Sequence, residues 1–183
     1  MEKDLNKMNR EELGKLFPVL IEEPDPSWPH LFITEEEEIM KTLGRDIILH
    51  IDHIGSTAIP GMPAKPTIDI LIQIHNDIPD HQIIKKLNSI GYNYIHKPDS
   101  PPPQMMFAKG YTPDGIKGQT YHLHIRHDGT HDEIIFRDYL LSHPDVAIEY
   151  AELKYRLAEK YRNDRDGYTE AKTEFIKRII LMQ

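Results

Sequence analysis

Residues 67–74, Thr-Ile-Asp-Ile-Leu-Ile-Gln-Ile, are an almost unbroken apolar run rich in β-branched side chains, with one carboxylate, Asp69, set inside it. Such a run predicts a buried strand. A carboxylate moved out of water costs several kcal/mol or takes up a proton instead, so Asp69 requires a cation, a donor network or a metal beside it. Any fold for this chain has to place that partner.

At 183 residues the chain suits one domain large enough to bury a core. No apolar stretch is long enough to cross a bilayer, and the polar start Met1-Glu2-Lys3-Asp4 lacks the apolar core of a signal peptide, so a cytoplasmic location with no membrane partner is expected. The absence of cysteine excludes disulfides, thiolate metal ligands and a cysteine nucleophile. A formal charge of −8 argues against extensive nucleic-acid binding and leaves room for a local basic pocket. The oligomeric state is left open.

Residues 1–20 read as an N-terminal arm with a short helix that Asn9 caps, and residues 21–183 as a single domain. Ser27 is the expected cap of a helix from Pro29 that ends at Gly44, and the acidic run from Glu35 to Glu38 on it reads as a solvated face. Strands are expected over residues 47–54, 67–74 and 92–97. A helix over residues 79–90 precedes the third, and a Pro-rich break at 98–103 follows it. The turn Thr112-Pro113-Asp114-Gly115 joins residues 105–109 and 119–127 into an antiparallel hairpin, and the rest of the chain, from Asp132, is helical. Val146, Tyr150, Leu153 and Leu157 form a packing stripe there.

Gly55-Ser56 directly after a strand is a turn that points backbone N–H groups and a hydroxyl toward a phosphate, and Lys65, in the loop before Asp69, is placed to neutralise one. Each feature also has a structural reading, as a bare turn and a solvated lysine. His122 and His124 share one face of a strand because side chains alternate, and with Asp69 on the adjacent strand they would form a facial set for Mg²⁺, Mn²⁺ or Zn²⁺, softer ions being favoured by the imidazoles. Their structural alternative is a cross-strand histidine cluster. Arg126, Arg137 and Lys172 are further cations, and Arg137 is either a phosphate contact or a local ion pair with Asp138.

The segments His53-Ile54-Gly55-Ser56-Thr57-Ala58-Ile59-Pro60-Gly61, Ala64-Lys65-Pro66, Ile68-Asp69-Ile70, Tyr121-His122-Leu123-His124 and Phe136-Arg137-Asp138-Tyr139-Leu140 closely resemble the GrpB family, as do Asp25-Pro26-Ser27-Trp28 and His143-Pro144. The resemblance covers nearly everything after about residue 20. It implies the fold of the nucleotidyltransferase superfamily, an α/β (α+β type) arrangement with a mixed β-sheet, flanking helices and a helical C-terminal part. Some family members occur fused to dephospho-CoA kinase. The superfamily pattern has a Gly-Ser turn and then a strand with two carboxylates one residue apart, the first of which matches Asp69. The second position is Leu71, so the set for a two-Mg²⁺ mechanism is incomplete.

The expectation is therefore a nucleotidyltransferase-like protein that binds a nucleotide or related phosphate ligand. Gly55, Ser56, Lys65 and Arg137 would contact phosphate, Asp69 would be catalytic, and Asp69, His122 and His124 would hold the ion. The alternatives are a noncatalytic nucleotide or CoA-like ligand-binding module and a metal-dependent hydrolase using Asp69, His122 and His124.

Overall fold

The computed structural model describes residues 5–75, 77–95, 104–127 and 129–182. These residues build one five-stranded sheet in the order β1-β2-β5-β4-β3. The strands are β1 (Ile48–Ile54), β2 (Thr67–Ile74), β3 (Asn93–Ile95), β4 (Met105–Thr112) and β5 (Gly115–His127). β2 and β5 run parallel, with Asp69 opposite His122 and Leu71 opposite His124. The β1–β2, β3–β4 and β4–β5 pairs are antiparallel, so the sheet is mixed as expected. The helices are α1 (Arg10–Leu16), α2 (Trp28–Leu43), α3 (Asp80–Asn88), α4 (Asp132–Ser142), α5 (Pro144–Lys160) and α6 (Arg165–Ile180). The expected third strand is present as Asn93–Ile95, and its last two positions and the Pro-rich break at 98–103 lie outside the described residues.

Strand periodicity divides β2 between two environments. Ile68, Ile70, Ile72 and Ile74 point to one face, where they meet Phe107, Leu123 and Ile125 of the sheet, Ile39 and Leu43 of α2, and Ile83 and Leu87 of α3 in one buried core. Each such aliphatic side chain contributes about 1.5–3 kcal/mol by leaving water. Asp69 and Leu71 take the reverse face, beside His122, His124 and Arg126 of β5. The C-terminal helices pack on that side around Phe136, Leu140, Tyr150 and Phe175, joined by Ile59 and Met62 from the loop after β1. Polar ties fasten α4 to the sheet: Arg137 donates to Asp52 at 3.0 Å, and Arg126 donates to Glu133 at 2.7 Å.

Two local expectations are corrected. Ser27 precedes α2 but does not cap it through its side chain, because its backbone is already helical (φ −80°, ψ −20°) and its N–H is instead held by the Asp25 carboxylate at 2.7 Å. The acidic run is not wholly a solvated face. Glu35 is only 4% exposed and accepts from Lys109 Nζ at 2.7 Å. The N-terminal arm is docked: Asn9 and Glu12 form a reciprocal capping box on α1, Arg10 pairs with Asp164 at 2.7 Å, and Phe17 packs edge-on against Tyr111 at 5.2 Å.

Candidate functional site

The polar face of β2 and β5 meets the turn after β1 at a single carboxylate. Gly55 has φ +70°, and a Cβ placed on it would lie 2.5 Å from Asp69 Oδ2, so glycine is required both for the backbone angle and for the close passage of the turn over the carboxylate. Thr57 locks the turn: its hydroxyl donates to the Thr67 carbonyl at 3.2 Å and accepts from His53 Nε2 at 3.0 Å. His53 stacks on Phe32 with ring centroids 4.8 Å apart, and burial pushes its imidazole down to about 4, so it is a neutral structural donor. The Ser56 hydroxyl stands against the Tyr150 phenol.

Asp69 has the donor network its position demands. His122 donates from Nδ1 to Asp69 Oδ1 at 3.0 Å, and its Nε2 is hydrogen-bonded with the Tyr111 hydroxyl at 3.1 Å. Tyr111 in turn accepts from Arg165 at 3.3 Å. Burial pushes the Asp69 carboxyl up, but the hydrogen bond from His122 and the positive electrostatics of the side chains around it, Lys65 among them, outweigh it and hold the group below its ordinary value. Asp69 is therefore an ionised acceptor.

Around this chain of hydrogen bonds stand three cations. Lys65 Nζ lies 5.5 Å and Lys172 Nζ 4.3 Å from the centre of the buried Tyr168 ring, and the Arg165 guanidinium lies 5.2 Å from the Tyr111 ring. Among the described residues neither Lys65 nor Lys172 forms an ion pair, since the Asp69 carboxylate is engaged by His122. Burial, with Arg165 and Lys172 adding repulsion, pushes the Lys65 amine down to about 7, and burial pushes Lys172 down to about 8 against the pull of Asp69. The α6 contributions Arg165, Tyr168 and Lys172 are spaced three and four residues apart, on one helix face. Sequence reasoning named Lys172 as a cation but missed Arg165, Tyr168 and Tyr111. The i, i+3, i+7 spacing of two cations about an aromatic was the available signal for α6, and nothing local marked Tyr111.

The remaining candidates are engaged elsewhere. Arg137 donates from Nη1 to Asp52 and to the His53 carbonyl at 2.9 Å and from Nε to Asp138 at 2.7 Å, which ties its guanidinium to structural partners. His124 sits beside Leu71, and burial, with repulsion from Arg126 and His122, pushes its imidazole down to about 4. Among the described residues no three His, Asp or Glu side chains are grouped to hold a metal ion. Both ring nitrogens of His122 already have protein partners, and Leu71 stands where a second carboxylate would be needed. The donor set, as it is arranged, does not fit a resident divalent ion. An apolar cavity of about 340 Å³ is lined by residues such as Met62, Leu140 and Ile148 and by no ionisable side chain.

Lys154 is a third lysine near the cluster, 1% exposed, donating to the Pro63 carbonyl and lying 5.1 Å from the Tyr150 ring centre. Burial, with repulsion from Lys172, pushes its amine down from 10.5 to about 7. Between those values the unfolded chain binds the proton that the folded chain has lost, so stability rises as pH increases from about 7. Urea midpoints should therefore climb between roughly pH 7 and 9, and Lys154→Met should lose part of that climb. An unchanged pH dependence in the variant would contradict this assignment.

Fold and site together define a mixed-sheet α+β protein with a cationic, aromatic-lined site over one structured carboxylate. The chain belongs to the GrpB family, whose model, described as GrpB protein, matches residues 18–181. It is 40% identical over 158 residues to a UPF0157 protein of Pseudomonas aeruginosa, covering 85% of this chain and 64% of that protein. It is 35% identical over 154 residues to the UPF0157 protein YqkA of Bacillus subtilis, covering 82% of this chain and 43% of that one. The chain thus spans less than two thirds of the length of either relative. Its fold is similar to the crystal structure of the conserved protein GrpB from Enterococcus faecalis, with a TM-score of 0.77 and 29% identity over 89% of this chain and 96% of that one. No helix among the described residues is long and apolar enough to cross a membrane.

Proposed function

We propose that the site beneath the Gly55–Ser56 turn binds the phosphate group of a nucleotide or a related phosphate compound. The observation that carries this reading is the concentration of half-buried positive charge: Lys65 and Lys172 stand near one carboxylate that His122 already engages, with Arg165 beside Lys65, in a chain whose net charge is −8. Two lysines held below their ordinary values by burial, Lys65 also by repulsion from Arg165 and Lys172, gain the most from a bound anion, which restores their charged forms. The half-buried Tyr111 ring adds aromatic surface beside Arg165. The Gly55–Ser56 turn supplies a hydroxyl and backbone N–H groups at the same place.

If the bound compound is a nucleoside triphosphate, nucleotidyl transfer is the reaction such a site would serve, with Asp69 orienting the acceptor and the cations neutralising the polyphosphate. The second reading is a binding module without turnover. It is favoured by Leu71, which replaces the second carboxylate, and by the His122 hydrogen bond that occupies Asp69. Release of pyrophosphate distinguishes the two.

Thermal unfolding should be measured with ATP, CTP, GTP, dephospho-CoA and inorganic phosphate, each with and without Mg²⁺, Mn²⁺ or Zn²⁺. A ligand at a hundredfold excess over its Kd adds about 2.7 kcal/mol, or roughly 5–10 °C for a chain of this size. Lys172→Ala should remove most of that shift. No shift with any combination would overturn the phosphate reading, and a shift seen only with metal would return an ion to the site.

A further inference from the structure

The corner between α4 and α5 carries an apolar surface that the phosphate site does not use. Leu141, in the last turn of α4, is 47% exposed, and Ile148 of α5 is 63% exposed. Both line the apolar cavity of about 340 Å³, together with Met62, Leu140 and Ala151. Apolar cavities of about 150 Å³ already admit benzene, so this one has room for a leucine, phenylalanine or tryptophan side chain from outside. A lone aliphatic in water is ordinary, whereas two beside an apolar hollow form a continuous patch of the kind that marks a binding surface. Tyr155, seven residues after Ile148 on the same side of α5, is 43% exposed and extends the patch, its hydroxyl donating to Glu23.

Charge decides what covers it. Asp145, Glu152 and Glu159 repeat at the same seven-residue interval and form one row along α5 beside Ile148 and Tyr155. All three are exposed and have no ion-pair partner among the described residues, while Glu149 is paired with Arg178 at 2.8 Å. The helix dipole favours Asp145 in the first turn but disfavours Glu159 in the last, so helix stability does not explain the row. A second copy docked through a twofold axis would set the patch against itself and bring the acidic rows together. Nucleic acid and anionic lipid surfaces are repelled by the same row.

The geometry points to the α4–α5 corner as a docking site for a cationic amphipathic helix of a partner protein. One large apolar side chain of that helix enters the cavity beside Leu141 and Ile148, and its Lys or Arg side chains, two turns apart, meet Asp145, Glu152 and Glu159. An acidic helix would leave the row facing like charge, which makes the row the element that selects the partner.

The test is fluorescence anisotropy of a dye-labelled amphipathic Leu/Lys peptide titrated with the full chain. It is run beside a peptide of the same composition reordered to spoil the apolar face, and a Leu/Glu counterpart. One saturable site is expected for the Leu/Lys helix, weaker by on the order of tenfold for the reordered peptide and absent for the Leu/Glu one. Raising salt from about 0.05 to about 0.5 M should weaken binding by screening the surface pairs. Ile148→Ser should weaken it on the order of tenfold at either salt. Glu152→Lys with Glu159→Lys should weaken it by on the order of tenfold or more at low salt and flatten the salt dependence. These positions are exposed, so the variants should melt close to the parent. No binding of the Leu/Lys peptide, or equal affinity for the parent and both variants, overturns the proposal. Concentration-dependent dimerisation of the parent in sedimentation, abolished by Ile148→Ser, also overturns it, because the patch then belongs to a second copy.

Discussion

Gly55→Ala is expected to lower stability by roughly 2–4 kcal/mol and to abolish ligand binding at once. Two physical effects combine. The residue sits at φ +70°, where an L side chain is strained by about 1–2 kcal/mol. Its new Cβ would also lie 2.5 Å from Asp69 Oδ2 and 3.0 Å from Asp69 Cγ, so either the turn lifts or the carboxylate rotates away from His122. Gly61→Ala separates the two effects, because Gly61 has φ +74° with nothing within 4 Å of its built Cβ. Gly61→Ala should cost only the backbone strain and leave ligand binding unchanged. At about 2–4 °C per kcal/mol, the Gly55 variant should melt roughly 4–16 °C below the parent. Equal losses in the two variants, with binding intact in both, would show that the turn does not press on Asp69.

Lys109→Met is the second large expectation. Lys109 of β4 reaches across to α2, where its Nζ donates to Glu35 at 2.7 Å and to Glu38 at 3.3 Å, over the faces of Tyr92 and Tyr121 at 5.4 and 5.5 Å. The Glu35 side chain is only 5% exposed, so removing Lys109 leaves a carboxylate in low dielectric without its cation. Breaking such a pair costs about 3–5 kcal/mol, far more than a surface bridge, whereas replacing both partners by neutral groups of similar volume is often harmless. Glu35→Gln combined with Lys109→Met should therefore recover most of the lost stability in urea titrations. A double variant no more stable than Lys109→Met alone would show that packing of the lysine stem, rather than the unpaired charge, dominates.

The strand bearing Asp69 was legible because an acidic residue inside a β-branched run requires a partner close by, and its two-residue period placed Asp69 and Leu71 on one face. The Gly55 turn was legible for a related reason, a glycine between a strand and a short helical turn. What His122 does was legible only in half. The alternation put it on the face of Asp69, but both of its ring nitrogens are set by tertiary contacts, with Asp69 from the parallel neighbour and Tyr111 from the hairpin. Arg137 was left between a phosphate contact and a local ion pair, and the pair with Asp138 is present. Its charge suggested a phosphate contact, while the fold brings Asp52 and the His53 carbonyl to it across more than 80 residues of sequence. Glu35 escaped because its partner is 74 residues away. Local pattern reports the face on which a side chain lies; the partner waiting on that face depends on strand order and helix docking.

Whether Lys65, Arg165 and Lys172 form an anion site over the Asp69–His122 pair can be decided by isothermal titration of ATP and of inorganic phosphate into the parent chain, Lys172→Ala and Arg165→Ala at low and high salt. One saturable site is expected in the parent, weakened by salt and weakened on the order of tenfold or more by either substitution, as loss of a charged hydrogen-bond donor to phosphate implies. Binding of equal strength in all three proteins, or none in the parent, would refute the anion site.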